Sequence, residues 1–176
     1  MNSKDLNGLI VLSINDGQRL GTVNRTYVDG PAKQIAGFSF TESGGFMQVE
    51  SEPKLDTSDV RSVGPDALTI EDRSAVRAVR LNEQYADLLV LEKVSQLPVL
   101  TEGGSSVGHV VSVEFDPHSY ALTGLEVSSG RFKVNRSIQI DHVITIGRDY
   151  IIVDEGLVHL TIPHDEAAGS TTAQAV

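Results

Sequence analysis

Read as alternating apolar and polar positions, the chain is a series of short strands separated by turn signals. Val111, Val113 and Phe115 alternate with Val110, Ser112 and Glu114, the period of a strand with one wetter face. Leu125 and Val127, and before them Phe38 and Phe40, mark further core-facing strands, and 67–70 and 150–153 read as closing strands. Asn15-Asp16-Gly17 and Glu102-Gly103-Gly104 predict hairpin turns, because residues with φ > 0 are needed there and Asn, Asp and Gly tolerate it. Asp116-Pro117-His118-Ser119 has the form of a type I turn, with proline fixing φ at its second position. Ser43-Gly44-Gly45 and Ser129-Gly130 signal further hairpins. Helical periodicity appears only over 71–92, where Val76, Val79, Tyr85, Leu88 and Leu89 make a partial stripe and NEQYADLL holds good helix formers.

Laid on itself, the chain repeats. DLNGLIVLS at 5–13 matches KVSQLPVLT at 93–101, 21–40 matches 108–127 without a gap, and DVRSVGPDALTI at 59–70 matches HVITIGRDYIIV at 142–153. The offset drifts from 88 to 87 to 83, so length changes fall between blocks, where loops absorb them. Gly21, Gly37 and Gly64 find counterparts in Gly108, Gly124 and Gly147, as Asp29 and Asp66 do in Asp116 and Asp149. These residues, with Gly17 and Gly104 in the hairpins, are read as structural turn positions, since glycine frees the backbone and aspartate caps a turn with its own side chain.

Five or six short strands in each repeat predict a mainly β protein, two tandem small antiparallel barrels whose closure hides strand edges. The first barrel is placed at 1–72, a partly helical linker at 73–92, the second barrel at 93–162 and a flexible tail at 163–176, where apolar residues thin out. A barrel this small buries only about 60% of its unfolded surface, so the two are expected to pack together as a pseudo-dimer.

Composition narrows the function classes. Forty per cent hydrophobic and 22% charged residues over 176 positions describe a globular chain. Its apolar runs are far shorter than the roughly 20 residues that span a bilayer, and its opening lacks a secretory apolar core, so no transmembrane segment and a cytoplasmic location are expected. With no cysteine there is no disulfide, thiolate ligand or thiol nucleophile. A net charge of −10 opposes phosphate backbones, so no direct nucleic-acid partner is expected, and Tyr27, Tyr120 and Tyr150 lack the cationic surroundings of a base-stacking platform.

Candidate chemistry is thin. His109, His118, His142, His159 and His164 have no ligand spacing, so no metal site is assigned. GGSSVG at 103–108 lacks the Lys-Ser/Thr of a phosphate loop and reads as a hairpin. No G-x-S-x-G elbow anchors a hydrolase triad, and pairs such as Asp154-Glu155 read as solvated carboxylates. The sequons at Asn24 and Asn135 have no secretory context. No catalytic residue and no cofactor are therefore predicted.

The repeated blocks resemble the PRC-barrel family, known from the photosynthetic reaction centre H subunit and a ribosome maturation factor. The resemblance rests on the apolar opening block, the turn pattern at Asp16, Gly17, Leu20, Gly21, Val23, Val28 and Asp29, and the closing DVRSVGPDALTI. It implies a non-catalytic barrel that docks onto other proteins in a larger assembly. The membrane helix of the H subunit and the companion domain of the ribosome factor have no counterpart in this sequence, so neither specialised role carries over. Asn24 and Thr26 stand where the second copy has Val111 and Val113, marking that face as wetter or bulged. The leading expectation is a protein-binding or scaffold module that offers strand edges, the inter-barrel groove and the tail to an unidentified protein partner. Self-association is left open. The alternatives are a ribosome- or RNA-associated factor and a small-ligand or cofactor-binding protein.

Overall fold

The computed structural model describes residues 1–43, 51–80, 85–129 and 134–156, with the side chains of 51, 52, 78–80 and 134 outside that description. The first unit contains β1 (Ile10–Ser13), β2 (Arg19–Asp29), β3 (Gln34–Glu42), β4 (Ser51–Asp56), β5 (Val60–Val63), β6 (Ala67–Ile70) and β7 (Arg77–Arg80), and β8 (Leu89–Val90), the opening segment of the second unit, joins its sheet beside β2. A single helical turn, α1 (Leu91–Val94), leads into the second unit. That unit is built from β9 (Pro98–Thr101), β10 (Ser106–Phe115), β11 (Leu122–Ser129), β12 (Val134–Gln139), β13 (Val143–Ile146) and β14 (Ile151–Val153).

The two sheets have one topology. The first runs β5-β6-β1-β2-β3-β4-β7 and the second β13-β14-β9-β10-β11-β12, so strand order agrees position by position until β7. Most pairings are antiparallel. The exceptions are β1 with β6 and β9 with β14, which are parallel and join each opening block to its own closing block. The barrels are therefore not wholly antiparallel as expected, because the closing strand reaches the opening strand from the far side of the unit. Both long strands carry a bulge at the same place, Asn24 in β2 and Val111 in β10. A bulge restarts the inward-outward alternation. This is why Val110 is buried beside Val113 and Phe115, whereas strict alternation would have turned it outward.

The repeat pairs the core residues as well. Val11 and Val99, Phe38 and Leu125, Leu68 and Ile151, and Ile70 and Val153 are all fully buried. The core is one contiguous cluster through both units. Burying such side chains contributes about 1.5–3 kcal/mol each, the main force that holds small barrels together.

The units embrace reciprocally. Asn2 bridges to Glu114 on β10, and at the matching place β8 pairs with β2, Val90 opposite Tyr27. Between the two β-turns, Gln34 bridges to its own counterpart Ala121, Ile35 N–H donates to Tyr120 O at 2.9 Å, and Leu122 N–H donates to Lys33 O at 2.9 Å. Lys33 and Tyr120, equivalent residues, both adopt φ > 0, at 51° and 61°. Each unit thus lends its opening segment to the other's long strand, as the two halves of a symmetric dimer do.

The linker departs from expectation. Its described residues form a 3₁₀ turn at Arg73–Ala75, strand β7, a turn at 85–88, strand β8 and, at Leu91 and Glu92, the start of α1, so its helical part is confined to its two ends. Residues 81–84 of NEQYADLL lie outside the description. Of the stripe read as helical, Val79 lies in β7 and Leu89 in β8, while Val76, Tyr85 and Leu88 lie in the turns before them: helix propensity is a weak prior, and here open sheet positions at β4 and β2 capture the chain. The tail at 163–176 and the hairpin residues at 44–45 and 130 also lie outside the described residues. No helix among those described is long and apolar enough to cross a membrane.

Candidate functional site

Of the glycines read as turn formers, Gly17, Gly64, Gly104 and Gly147 lie in turns between strands, whereas Gly21, Gly37, Gly108 and Gly124 lie inside β2, β3, β10 and β11, where neighbouring strands crowd the backbone. Gly17 and Gly104 close the β1–β2 and β9–β10 hairpins with φ of 67° and 84°, and Ser13 N–H to Gln18 O (3.0 Å) and Thr101 N–H to Ser105 O (2.8 Å) seal those turns. Gly21 and Gly108 lie against the backbone carbonyls of Thr41 and Ser128, where a Cβ would collide. At Gly37 a Cβ would come within 2.7 Å of Leu55 O, and at Gly124 within 3.1 Å of Ile138 O. Gly64 and Gly147 donate to Ala67 O and Tyr150 O in the tight closing turns. Asp29 accepts from Ala32 N–H at 3.0 Å, and Asp116 accepts from His118 N–H at 2.9 Å and from the Ser119 hydroxyl at 3.0 Å. Those bonds hold the Asp116 carboxyl below the usual carboxylate range. These positions are spread through both units and form no common site.

The outer edges differ between the copies. In the first unit β4 pairs with β3 only over Lys54–Asp56, and Pro53 has no N–H to offer a ladder. The free side of β4 is taken by β7, antiparallel from Ser51 opposite Arg80 to Lys54 opposite Arg77. In the second unit β12 pairs with β11 in unbroken register, from Gly124 opposite Gln139 to Ser129 opposite Val134. Among the described residues nothing pairs with its other side.

Under β7 lies a polar network that sequence reading did not find. Lys54 is 1% exposed, and its ammonium lies 4.2 Å from the centre of the Tyr85 ring and 5.0 Å from that of Tyr27. Cation–π contacts of this kind offset part of the cost of burying the charge. The Tyr85 hydroxyl donates to Asp56, whose other oxygen takes Arg77 at 2.9 Å, and Arg77 also reaches Asp59 at 3.1 Å. Burial and the neighbouring Asp56 carboxylate push the Tyr85 phenol far above its ordinary range. The network ties β4, β7 and the linker tyrosine into one body. At the matching face of the second unit, Ser112 and Asn135 each donate to Glu126 at 2.7 Å, and Lys4 stands 3.8 Å from it. These bonds lower the Glu126 carboxyl.

His142 Nδ1 lies 2.8 Å from Asp154, while His109 and His118 are exposed on separate elements. His159 and His164 lie outside the described residues. Among the residues described, no three His, Cys, Asp or Glu side chains converge as metal ligands.

A family profile described as PRC-barrel domain matches this chain twice, over 1–77 and over 91–159. The chain belongs to the PRC-barrel family. Its two matches are tandem copies, each on one of the two sheets. No curated protein matches the chain.

Proposed function

We propose that the protein is a non-catalytic docking module of tandem PRC-barrels, and that it takes an extended segment of a partner protein along β12. The observation that carries this is the unequal treatment of one edge. An antiparallel strand already fills that position in the first copy, and the same edge in the second copy runs in unbroken register over six residues with no described strand beyond it. Strand addition draws affinity from backbone groups and needs no special side chains, which fits a surface otherwise without recognisable chemistry. Family membership supports a non-catalytic reading, because the barrels of this family serve interaction.

The test is site-specific photocrosslinking in cells, with p-benzoylphenylalanine at exposed Arg136 on β12 and, as comparison, at exposed Asp141 beyond the strand. A discrete adduct with another protein at 136 and not at 141 is the expected result. An adduct at 136 with residues 157–176 of the same chain would overturn docking at that edge, as would equal labelling at both sites.

A further inference from the structure

The first copy shows what a strand at this edge must match, because β7 already lies along β4 there. The registers make the two edges comparable residue by residue. Gly37 opposite Asp56 corresponds to Gly124 opposite Gln139, and Ser39 opposite Lys54 corresponds to Glu126 opposite Ser137. Glu52, Pro53, Lys54 and Asp56 therefore stand where β12 has Asn135, Arg136, Ser137 and Gln139, and Asp59 stands where the second copy has His142. β7 places Arg77 opposite Lys54 and Ala78 opposite Pro53. Arg77 is received by Asp56 at 2.9 Å and by Asp59 at 3.1 Å.

The second copy has neither carboxylate. Gln139 offers an amide in place of one, and His142 Nδ1 lies 2.8 Å from Asp154 in place of the other. Arg136 is the one charged residue of β12, exposed, and a residue at the place of Ala78 would lie directly opposite it. The acids around the strand are engaged or lie past its end: Glu126 takes Ser112 and Asn135 with Lys4 at 3.8 Å, and Asp141 is exposed in the following 3₁₀ turn. The sequence carries the same inversion. Residues 127–139 hold Arg131, Lys133 and Arg136 and no acid, whereas 40–56 hold Glu42, Glu50, Glu52 and Asp56 against Lys54. Arg131 and Lys133 lie outside the described residues and form no part of the site.

We propose that the partner segment taken by β12 is acidic, an extended strand with a carboxylate opposite Arg136 and without the arginine that β7 presents at Asp56 and Asp59. This rests on docking along β12 and adds the chemistry of the occupant. Unlike charges directly opposite each other stabilise a strand pair and like charges destabilise it. Arg136 thus favours an acidic strand and disfavours a basic one such as β7.

Fluorescence polarisation on the full chain would use the labelled peptide VEEVTL, which is the β7 segment VRAVRL with Glu at the places of Arg77 and Ala78 and Thr at that of Arg80. VRAVRL itself and the neutral VQQVTL are the comparisons. With a net charge of −10 the rest of the surface repels an acidic peptide, so its binding reports a local site. VEEVTL is expected to bind most tightly and to slow hydrogen exchange of the β12 amides. Arg136→Glu should weaken it about tenfold, since an attractive cross-strand pair becomes a repulsive one. Arg61→Glu, the same charge change at an exposed position of the first copy, should leave it unchanged. Failure of VEEVTL to bind, or equal weakening by the two variants, would overturn the proposal. If VQQVTL or VRAVRL binds as tightly and protects the β12 amides, the acidic assignment falls and docking along β12 stands. If VEEVTL binds and leaves those amides unprotected, both fall.

Discussion

The two copies answer the same problem differently. Each ends in a strand with one free side, β4 in the first and β12 in the second. The first copy closes that side with β7 and fixes the closure with the Tyr85, Asp56 and Arg77 network over buried Lys54. Among the described residues the second keeps an unbroken edge, and the equivalent face carries the Glu126 cluster. The barrel core is thus constant between copies, while the edge is where they diverge. A repeat that must fold conserves its buried volume, and divergence of role falls on positions the core does not need.

The largest effect should come from what the copies share. Phe38→Ala should cost about 3–5 kcal/mol and its counterpart Leu125→Ala about 2–5 kcal/mol, both side chains being fully buried. Because one core runs through both units, denaturation of either variant should remain a single transition. Two separated transitions, with only the altered copy shifted, would break the pseudo-dimer account.

The next effects should be confined to the first copy. Tyr85→Phe removes the donor to Asp56 and should cost about 1–2 kcal/mol by chemical denaturation. The pH dependence follows from the raised phenol. A group held protonated more strongly in the folded state adds stability below its unfolded pKa, about 10 for tyrosine, and that stability is lost as pH rises further. The wild type should therefore lose stability in alkali more steeply than Tyr85→Phe, and parallel curves would remove Tyr85 from the account. Arg77→Ala should cost less, about 0.5–1 kcal/mol, since the guanidinium is half-exposed and its pairs with Asp56 and Asp59 are screened. The smallest effect belongs to the second copy's surface. Ile144, which is 48% exposed where the first copy has Arg61, should tolerate Ile144→Ser within about 0.5 kcal/mol.

Much of this fold was legible because the sequence is written twice. The matched glycines pointed to backbone constraints, and the strongest of these, Gly21 and Gly108 against facing carbonyls, recur in both copies for the same steric reason. The parallel β1–β6 and β9–β14 pairings were not legible, since alternation reports which face is buried and says nothing of strand direction. The linker misled for a related reason: Val76, Val79 and Leu89 have a helical spacing, yet sheet pairing outweighs that preference when an edge is available. Lys54 and Asp56 escaped notice because they fall between the matching blocks, where their counterparts are Ser137 and Gln139 and the repeat offers no comparison. The asymmetry of the edges was hidden for the same reason. It depends on β7, which belongs to neither repeat.

Hydrogen exchange tests the central contrast most directly. Backbone amides of β4 that face β7 should exchange about a hundredfold or more slowly compared with the amides of β12 that point away from β11, because only the former must open a strand pair to reach water. Equal protection of the two edges in the isolated protein would contradict the account, for it would mean that β12 is already covered.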